Sequence, residues 1–297
     1  AVPHATAAFL ARSMLPREQQ PRVVTTLHGT DTTLLGHDAG YAPAIKHALT
    51  CSDAVTAVSE SLKRETQRVF DFDGSIEVIH NFFAPRPPRR SRDEVRRELG
   101  LREEVVVFHS SNLRPGKRID LLLETVARVR PRDAFKLLIL AGESFAPFAE
   151  HVRRLGLADR VIVREKVNDI EDYLQVADIG LFTSETESFC LSILEAMCFG
   201  CPSVSTRVGG IPEVVEDNRS ALLVPSGDVD ALASALEALI HDETRRSALG
   251  RAAPARAREL FSAESIVPRY EALSRRLWRC GHCPGRRLPR SPGSRGP

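Results

Sequence analysis

The chain has no apolar run approaching the roughly 20 residues needed to cross a bilayer, and no charged, apolar and small-residue order of a secretory leader. These absences exclude a helical membrane protein and predict a cytoplasmic one. No GxGxxG turn follows an early strand with an acidic residue at ribose distance, which argues against a dinucleotide-dependent dehydrogenase. Cysteine is sparse, six in 297 residues. Cys198 and Cys201 have CxxC spacing, as do Cys280 and Cys283, but the first pair reads as a small-residue turn and the second falls in a tail with almost nothing apolar. Neither a zinc site nor a disulfide framework is expected, and reduced, mostly buried thiols fit a cytosolic protein.

A strong charge of one sign is also missing. Lys and Arg number 41 against 39 acidic residues, a net +2. Seven arginines follow Glu271, the last acidic residue, so the rest of the chain holds 34 basic to 39 acidic groups, or −5. A body of that sign offers no electrostatic reason for a general nucleic-acid or membrane surface.

The composition, 42% hydrophobic and 27% charged, suits a globular chain long enough for two domains. Short β-rich runs alternate with longer helical ones, the pattern of parallel βαβ units. Strands are expected at 23–27, 54–58 and 76–79, with helices at 42–50 and 60–70. The stretch 81–91, with Pro85, Pro87 and Pro88 among arginines, cannot continue a helix or central strand and marks an interdomain linker. A second series places strands at 105–108, 136–141, 161–163, 179–182, 203–205 and 222–224. Its helices are expected at 119–130, 148–155, 170–176, 191–199, 211–215, 228–240, 242–261 and 262–278. The fold class is therefore α/β, with two Rossmann-like, doubly wound parallel sheets and a ligand cleft at their carboxyl ends. The first domain, 1–84, is expected to be incomplete, because the chain starts at Ala1 and enters a helix without an opening strand. The second spans 85–261, a helix follows at 262–278, and 279–297 is expected to be a disordered basic tail.

Polar clusters fall at the predicted strand ends. Glu187 lies in a polar loop and Glu195 eight positions on, inside a helix-forming run, so a helix N-terminus between them would offer unpaired N–H groups to a diphosphate. His28, Thr30 and Asp31 converge after the first strand, where Gly29 allows a substrate close to the backbone. Asn112, Arg114 and Lys117 follow the first strand of the second domain, where the two cations could clamp a diphosphate, while Arg118 is expected to point to solvent. Gly209 and Gly210 end another strand, either bringing backbone close to a ligand or forming a plain turn.

In this order, Asn112-Leu-Arg114-Pro-Gly-Lys117, Glu187-Ser-Phe-Cys-Leu-Ser-Ile-Leu-Glu195 and Gly209-Gly210-Ile-Pro-Glu213 resemble the retaining GT-B glycosyltransferases of family 4. Together with His28-Gly-Thr-Asp31 and His80-Asn-Phe, they are similar to the branch of that family acting in bacillithiol biosynthesis, over residues 1 to about 278. The resemblance implies a UDP-N-acetylglucosamine donor, an L-malate acceptor, no metal or other cofactor, and transfer with retention of anomeric configuration. His28, Arg114, Lys117 and Glu187 form the implied catalytic set. The donor would be held by Asn112, Arg114, Lys117, Glu187, Ser188, Phe189, Cys190, Leu191, Glu195, Gly209 and Gly210, with Glu195 on the uridine ribose and Glu187 on the sugar. Arg114, Thr30 and Asp31 would lie on the acceptor side. Cys190 and Ala221 stand where the family usually has glycine. The glycine-rich loop and acceptor-binding tyrosine of the family would precede Ala1, so weak or absent transfer is expected of these residues alone. Another acceptor, such as an inositol phosphate or a sugar, stays open; so do a non-catalytic nucleotide-sugar-binding role and homo-oligomerisation.

Overall fold

The computed structural model describes residues 3–280. The first unit comprises α1 (His4–Ser13), β1 (Val24–Leu27), α2 (Thr30–Thr33), α3 (Ala42–Thr50), β2 (Ala54–Ala57), α4 (Glu60–Phe70) and β3 (Ile76–Val78). Its strands are parallel in the order β1-β2-β3, with Thr25 opposite Val55 and Val55 opposite Ile76, and so make a single winding. Leu27, Ala57 and Ile76 point their apolar side chains into a core closed by Ile45 and Leu49 of α3 and Leu62 and Phe70 of α4. Ser59 starts α4 by accepting the Leu62 N–H at 3.0 Å, satisfying one of the four amides a helix start leaves unpaired.

The second unit contains α5 (Arg92–Glu98), β4 (Val105–Ser111), α6 (Ile119–Arg128), β5 (Phe135–Ala141), α7 (Ala149–Arg154), β6 (Val161–Glu165), α8 (Ile170–Leu174), β7 (Ile179–Phe182), α9 (Leu191–Cys198), β8 (Ser203–Thr206), α10 (Ile211–Val214) and β9 (Ala221–Val224). α11 (Val229–His241), α12 (Glu243–Phe261) and α13 (Ala263–Cys280) follow. Six parallel strands run in the order β6-β5-β4-β7-β8-β9, so the winding reverses between β4 and β7. Alternation sorts each central strand onto two buried faces. Phe108, Leu138 and Leu140 face α9 through Ile193, Leu194 and Met197. Val107, Leu137 and Ile139 face Leu122 of α6 and Leu236 of α11. Each such side chain stabilises the sheet by about 1.5–3 kcal/mol on burial, which is why β5 is apolar at almost every position.

Several boundaries differ from expectation for local reasons. Ser110 and Ser111 continue β4 instead of opening the loop, because both pair with β5, opposite Leu140 and Ala141. Asp228 and Asp242 precede their helices as caps, accepting the N–H of Ala231 and Arg245 at 2.9 and 2.8 Å. α13 extends to Cys280, two residues past its expected end, and the rest of the expected basic tail lies outside the described residues.

The proline-rich linker is tied down. Arg86 Nε donates to Glu171 at 3.0 Å and Arg90 Nε to Asp172 at 2.8 Å, both carboxylates being buried on α8. α13 then carries the chain back to the first sheet, where Ile266 and Leu273 pack on Ile79 and Arg269 donates to the Val78 carbonyl. The sequence reading of 262–278 as a separate helix missed this return, since its apolar stripe shows an amphipathic face but not what covers it.

Candidate active site

A parallel sheet that reverses its winding leaves a crevice outside the carboxyl ends of the two strands at the reversal. Here those strands are β4 and β7, and the loops leaving them carry the cationic and the carboxylate motif respectively. Thr183 Oγ1 binds the loops together by donating to the carbonyls of Lys117 and Arg118 at 3.1 and 3.0 Å, and the Glu185 N–H donates to Gly116 O at 2.9 Å. Thr206 at the end of β8 adds a third strand end, donating to Ser184 O at 2.6 Å. His109 anchors the same corner: its Nδ1 lies 2.8 Å from Leu181 O and its Nε2 2.9 Å from Ser111 Oγ. Burial lowers its pKa to about 4, so it is a neutral structural bridge at pH 7.

Lys117 and Glu187 meet directly. Lys117 Nζ donates to Glu187 Oε1 at 2.5 Å, and Ser184 Oγ donates to the same oxygen at 2.8 Å. Burial works against the Lys117 charge, but the Glu187 carboxylate outweighs it and raises the lysine pKa. Arg114 beside it is exposed, whereas Asn112 Oδ1 accepts the Arg114 N–H at 3.4 Å and shapes the turn. Arg118, at the left-handed start of α6 (φ 49°), is partly exposed and donates from Nη2 to Asp120 at 2.7 Å.

α9 begins at Leu191 with no side chain capping its first amides. Cys190 supplies the turn at φ 75° and ψ 78°, a left-handed conformation that glycine adopts freely and a thiol-bearing residue does not. Its side chain is buried, and burial, with the Glu187 charge, pushes the thiol pKa well up. Glu195, in the second turn of α9, is half-buried and has no hydrogen-bond partner among the described residues. Burial, helped by the charge of Glu171, raises its pKa to about 7. Leu191 is exposed at the mouth, while the Phe189 ring turns inward against His80 and Phe261, with centroids 5.9 and 5.4 Å away.

The glycines make close contacts within the protein. A Cβ on Gly29 would sit 1.7 Å from Ser188 Oγ, so the gap beside His28 is filled by a residue of the other sheet's loop. A Cβ on Gly210 would sit 2.2 Å from Ser188 O, and one on Gly209 1.8 Å from Glu187 O; the Gly210 N–H donates to Glu187 O at 2.9 Å. The glycine pair thus holds the backbone of the loop that carries Glu187 and Ser188. Ala221, at a position where glycine was expected, is fully buried inside β9.

The first domain contributes His28, with its pKa lowered by partial burial and raised in part by Asp31. Thr30 and Asp31 open α2 and, with His28, line a cavity of about 380 Å³ closed by α1 and residues 23–26. Arg114 is not among its lining residues. A cavity of about 360 Å³ lies between the two domains, walled by Ser61 and Arg64 of α4, Thr33, Glu187 and Gly209.

Two parallel-sheet domains with facing loops and a paired carboxylate and lysine at the winding reversal define a GT-B protein. The Glycosyl transferases group 1 family matches residues 91–256, and Glycosyltransferase Family 4 matches residues 1–86. The chain belongs to the glycosyl transferases of group 1. It is 36% identical over 276 residues to the N-acetyl-alpha-D-glucosaminyl L-malate synthase of Bacillus anthracis, covering 92% of this chain and 72% of that one. It is 34% identical over 172 residues to the D-inositol 3-phosphate glycosyltransferase of Kribbella flavida, covering 53% of this chain and 41% of the relative. Among solved structures it is similar to Anabaena HepE in complex with UDP and glucose, with a TM-score of 0.78 and 25% identity over 92% of this chain and 74% of that one. No helix among the described residues is long and apolar enough to cross a membrane.

Proposed function

We propose that this glycosyltransferase moves N-acetylglucosamine from UDP-N-acetylglucosamine to L-malate with retention of anomeric configuration. The similarity to the Bacillus anthracis synthase over 92% of the chain carries the choice of substrates. The site's chemistry is compatible with it. Glu195 is a half-buried acceptor with open hydrogen-bonding capacity, suited to the two ribose hydroxyls. Glu187 faces the interdomain cavity and would accept from sugar hydroxyls. Lys117, beside it, and the exposed Arg114 would stabilise charge building on the departing diphosphate, with the open amides of α9 adding to the field. Neither glutamate acts as a nucleophile in this scheme. The malate hydroxyl attacks from the leaving-group face and passes its proton to the β-phosphate, while the protein positions both and supplies charge.

The same reading makes the reaction independent of metal, Lys117 and Arg114 taking the place of a divalent cation at the diphosphate. Incubation of the protein, expressed from its full coding sequence, with both substrates should give UDP release that depends on malate and survives chelation by EDTA, with an α-anomeric proton coupling in the product. Release that requires inositol phosphate, or a product of inverted configuration, would remove this assignment. A chain that binds UDP yet turns over no donor with either acceptor would instead favour the non-catalytic reading.

A further inference from the structure

α4 belongs to the first domain, but its N-terminus is completed by the second. Glu213 of α10 accepts the Glu60 N–H through Oε2 and the Ser61 N–H through Oε1, each at 2.8 Å. With Ser59 on the Leu62 amide, three of the four open donors of α4 are satisfied, two of them by a carboxylate more than 150 positions away. The negative group also lies at the positive end of the helix, the favourable orientation. His80 Nε2 stands 3.5 Å from Glu213 Oε2, too long for a good bond. Arg256 of α12 fixes the other side of α10 through the carbonyls of Glu213 and Val214, both at 2.8 Å.

The same short helix is entered through Gly209 and Gly210, whose backbone lies against Glu187 and Ser188. Ser188 in turn fills the space over Gly29, next to His28. One continuous set of contacts therefore runs from the first domain's α4, through Glu213 and the glycine pair, to the donor-side carboxylate, and back to the first domain beside His28. We propose that Glu213 is a positioning residue for glycosyl transfer, setting the register between His28 on one domain and Glu187 on the other. This rests on the transferase reading above. No contact with nucleotide or sugar is assigned to Glu213; it acts through the Gly209-Gly210 backbone and α4.

The role separates placement from nucleotide affinity, because Glu195, Arg114 and the α9 amides lie on the second domain alone. In the full chain, Glu213→Ala should lower kcat by about tenfold or more, the effect of losing one or two charge-assisted hydrogen bonds. UDP affinity, read by calorimetry, should stay within about twofold, since its contacts are not disturbed. Glu213→Gln keeps one acceptor oxygen and should recover part of kcat. Amide exchange read by mass spectrometry should rise in Glu213→Ala both at 60–62 and at 185–190. An unchanged kcat, or faster exchange confined to 60–62, would reduce Glu213 to a helix cap and overturn the proposal. Should the unsubstituted chain transfer no sugar, that result strikes the transferase reading, and the exchange pattern alone decides whether the two domains are coupled through Glu213.

Discussion

Lys117 and Glu187, 70 residues apart in the chain, form an ion pair of 2.5 Å across the loops that leave β4 and β7. The cation assigned to the diphosphate and the carboxylate assigned to the sugar therefore neutralise each other before any donor arrives. Only 9% of the Glu187 side chain is exposed, so its charge needs this partner or a substitute. Lys117→Met should lower donor affinity by tenfold or more and lower Tm, because it strands a buried carboxylate and removes the diphosphate cation. A double-mutant cycle with Glu187→Gln, read by thermal melts, should show coupling of about 1–3 kcal/mol. Additive effects would mean that the pair is incidental.

Glu195 carries the pH dependence. Its pKa rises from an ordinary 4.5 to about 7 because burial disfavours the charge. Between those values the folded chain keeps a proton that the unfolded chain has lost, so this group's contribution to stability falls as pH rises through that window. Glu195→Gln should therefore melt close to the unsubstituted chain at pH 5 and above it at pH 8, by roughly 1–3 kcal/mol of stability. At pH 8, where the carboxylate is ionised, the same substitution, or Glu195→Ala, should weaken UDP binding by roughly 1–3 kcal/mol, since the ribose hydroxyls lose a charged acceptor. Calorimetry that finds equal UDP affinity would separate Glu195 from the ribose.

Cys190 is the one strained residue inside the donor motif, held at φ 75° where α9 begins. Cys190→Gly removes the Cβ from a left-handed position and should stabilise the fold by about 1 kcal/mol. It also clears the thiol from the approach to the α9 amides, so donor affinity should rise in step. A fall in both Tm and affinity would show that the buried sulfur packs well enough to outweigh the strain.

Arg160 is buried at 2% exposure with Nε and both Nη atoms unpaired, its guanidinium stacked 4.3 Å from the Phe135 ring centroid. Burial pulls its pKa down to about 10, a measure of how poorly the site receives a cation. Arg160→Leu should raise stability by about 1–3 kcal/mol in thermal or urea unfolding, because an unpaired buried charge is replaced by apolar contact. Destabilisation would show that the cation–π contact outweighs the desolvation cost.

The strands and most helices were legible because their signal is local: β5 is apolar on both faces, and α4 alternates Leu62, Thr66 and Phe70 at helical spacing. The Glu187–Glu195 segment was legible for a similar reason, its two carboxylates lying eight positions apart in one loop-helix unit. Other contacts were not legible because the partner lies far along the chain. Gly29 read as room for a ligand and Gly210 as either such room or a plain turn; in the fold Ser188 lies against both. Glu213 stood in the sequence as the last residue of the Gly-Gly-Ile-Pro-Glu segment, and nothing near it announced the α4 amides it accepts.

The sequence by itself determined two parallel-sheet units, their order, and which loops would stand at their carboxyl ends, since periodic burial and chain breakers act over a few residues. Tertiary structure alone decided what those loops touch. The reversal between β4 and β7 puts Lys117 on Glu187, and docking of the two sheets puts Ser188 on Gly29 and Glu213 on α4. Such contacts depend on how two folded surfaces fit, a property of relative position that no local pattern encodes.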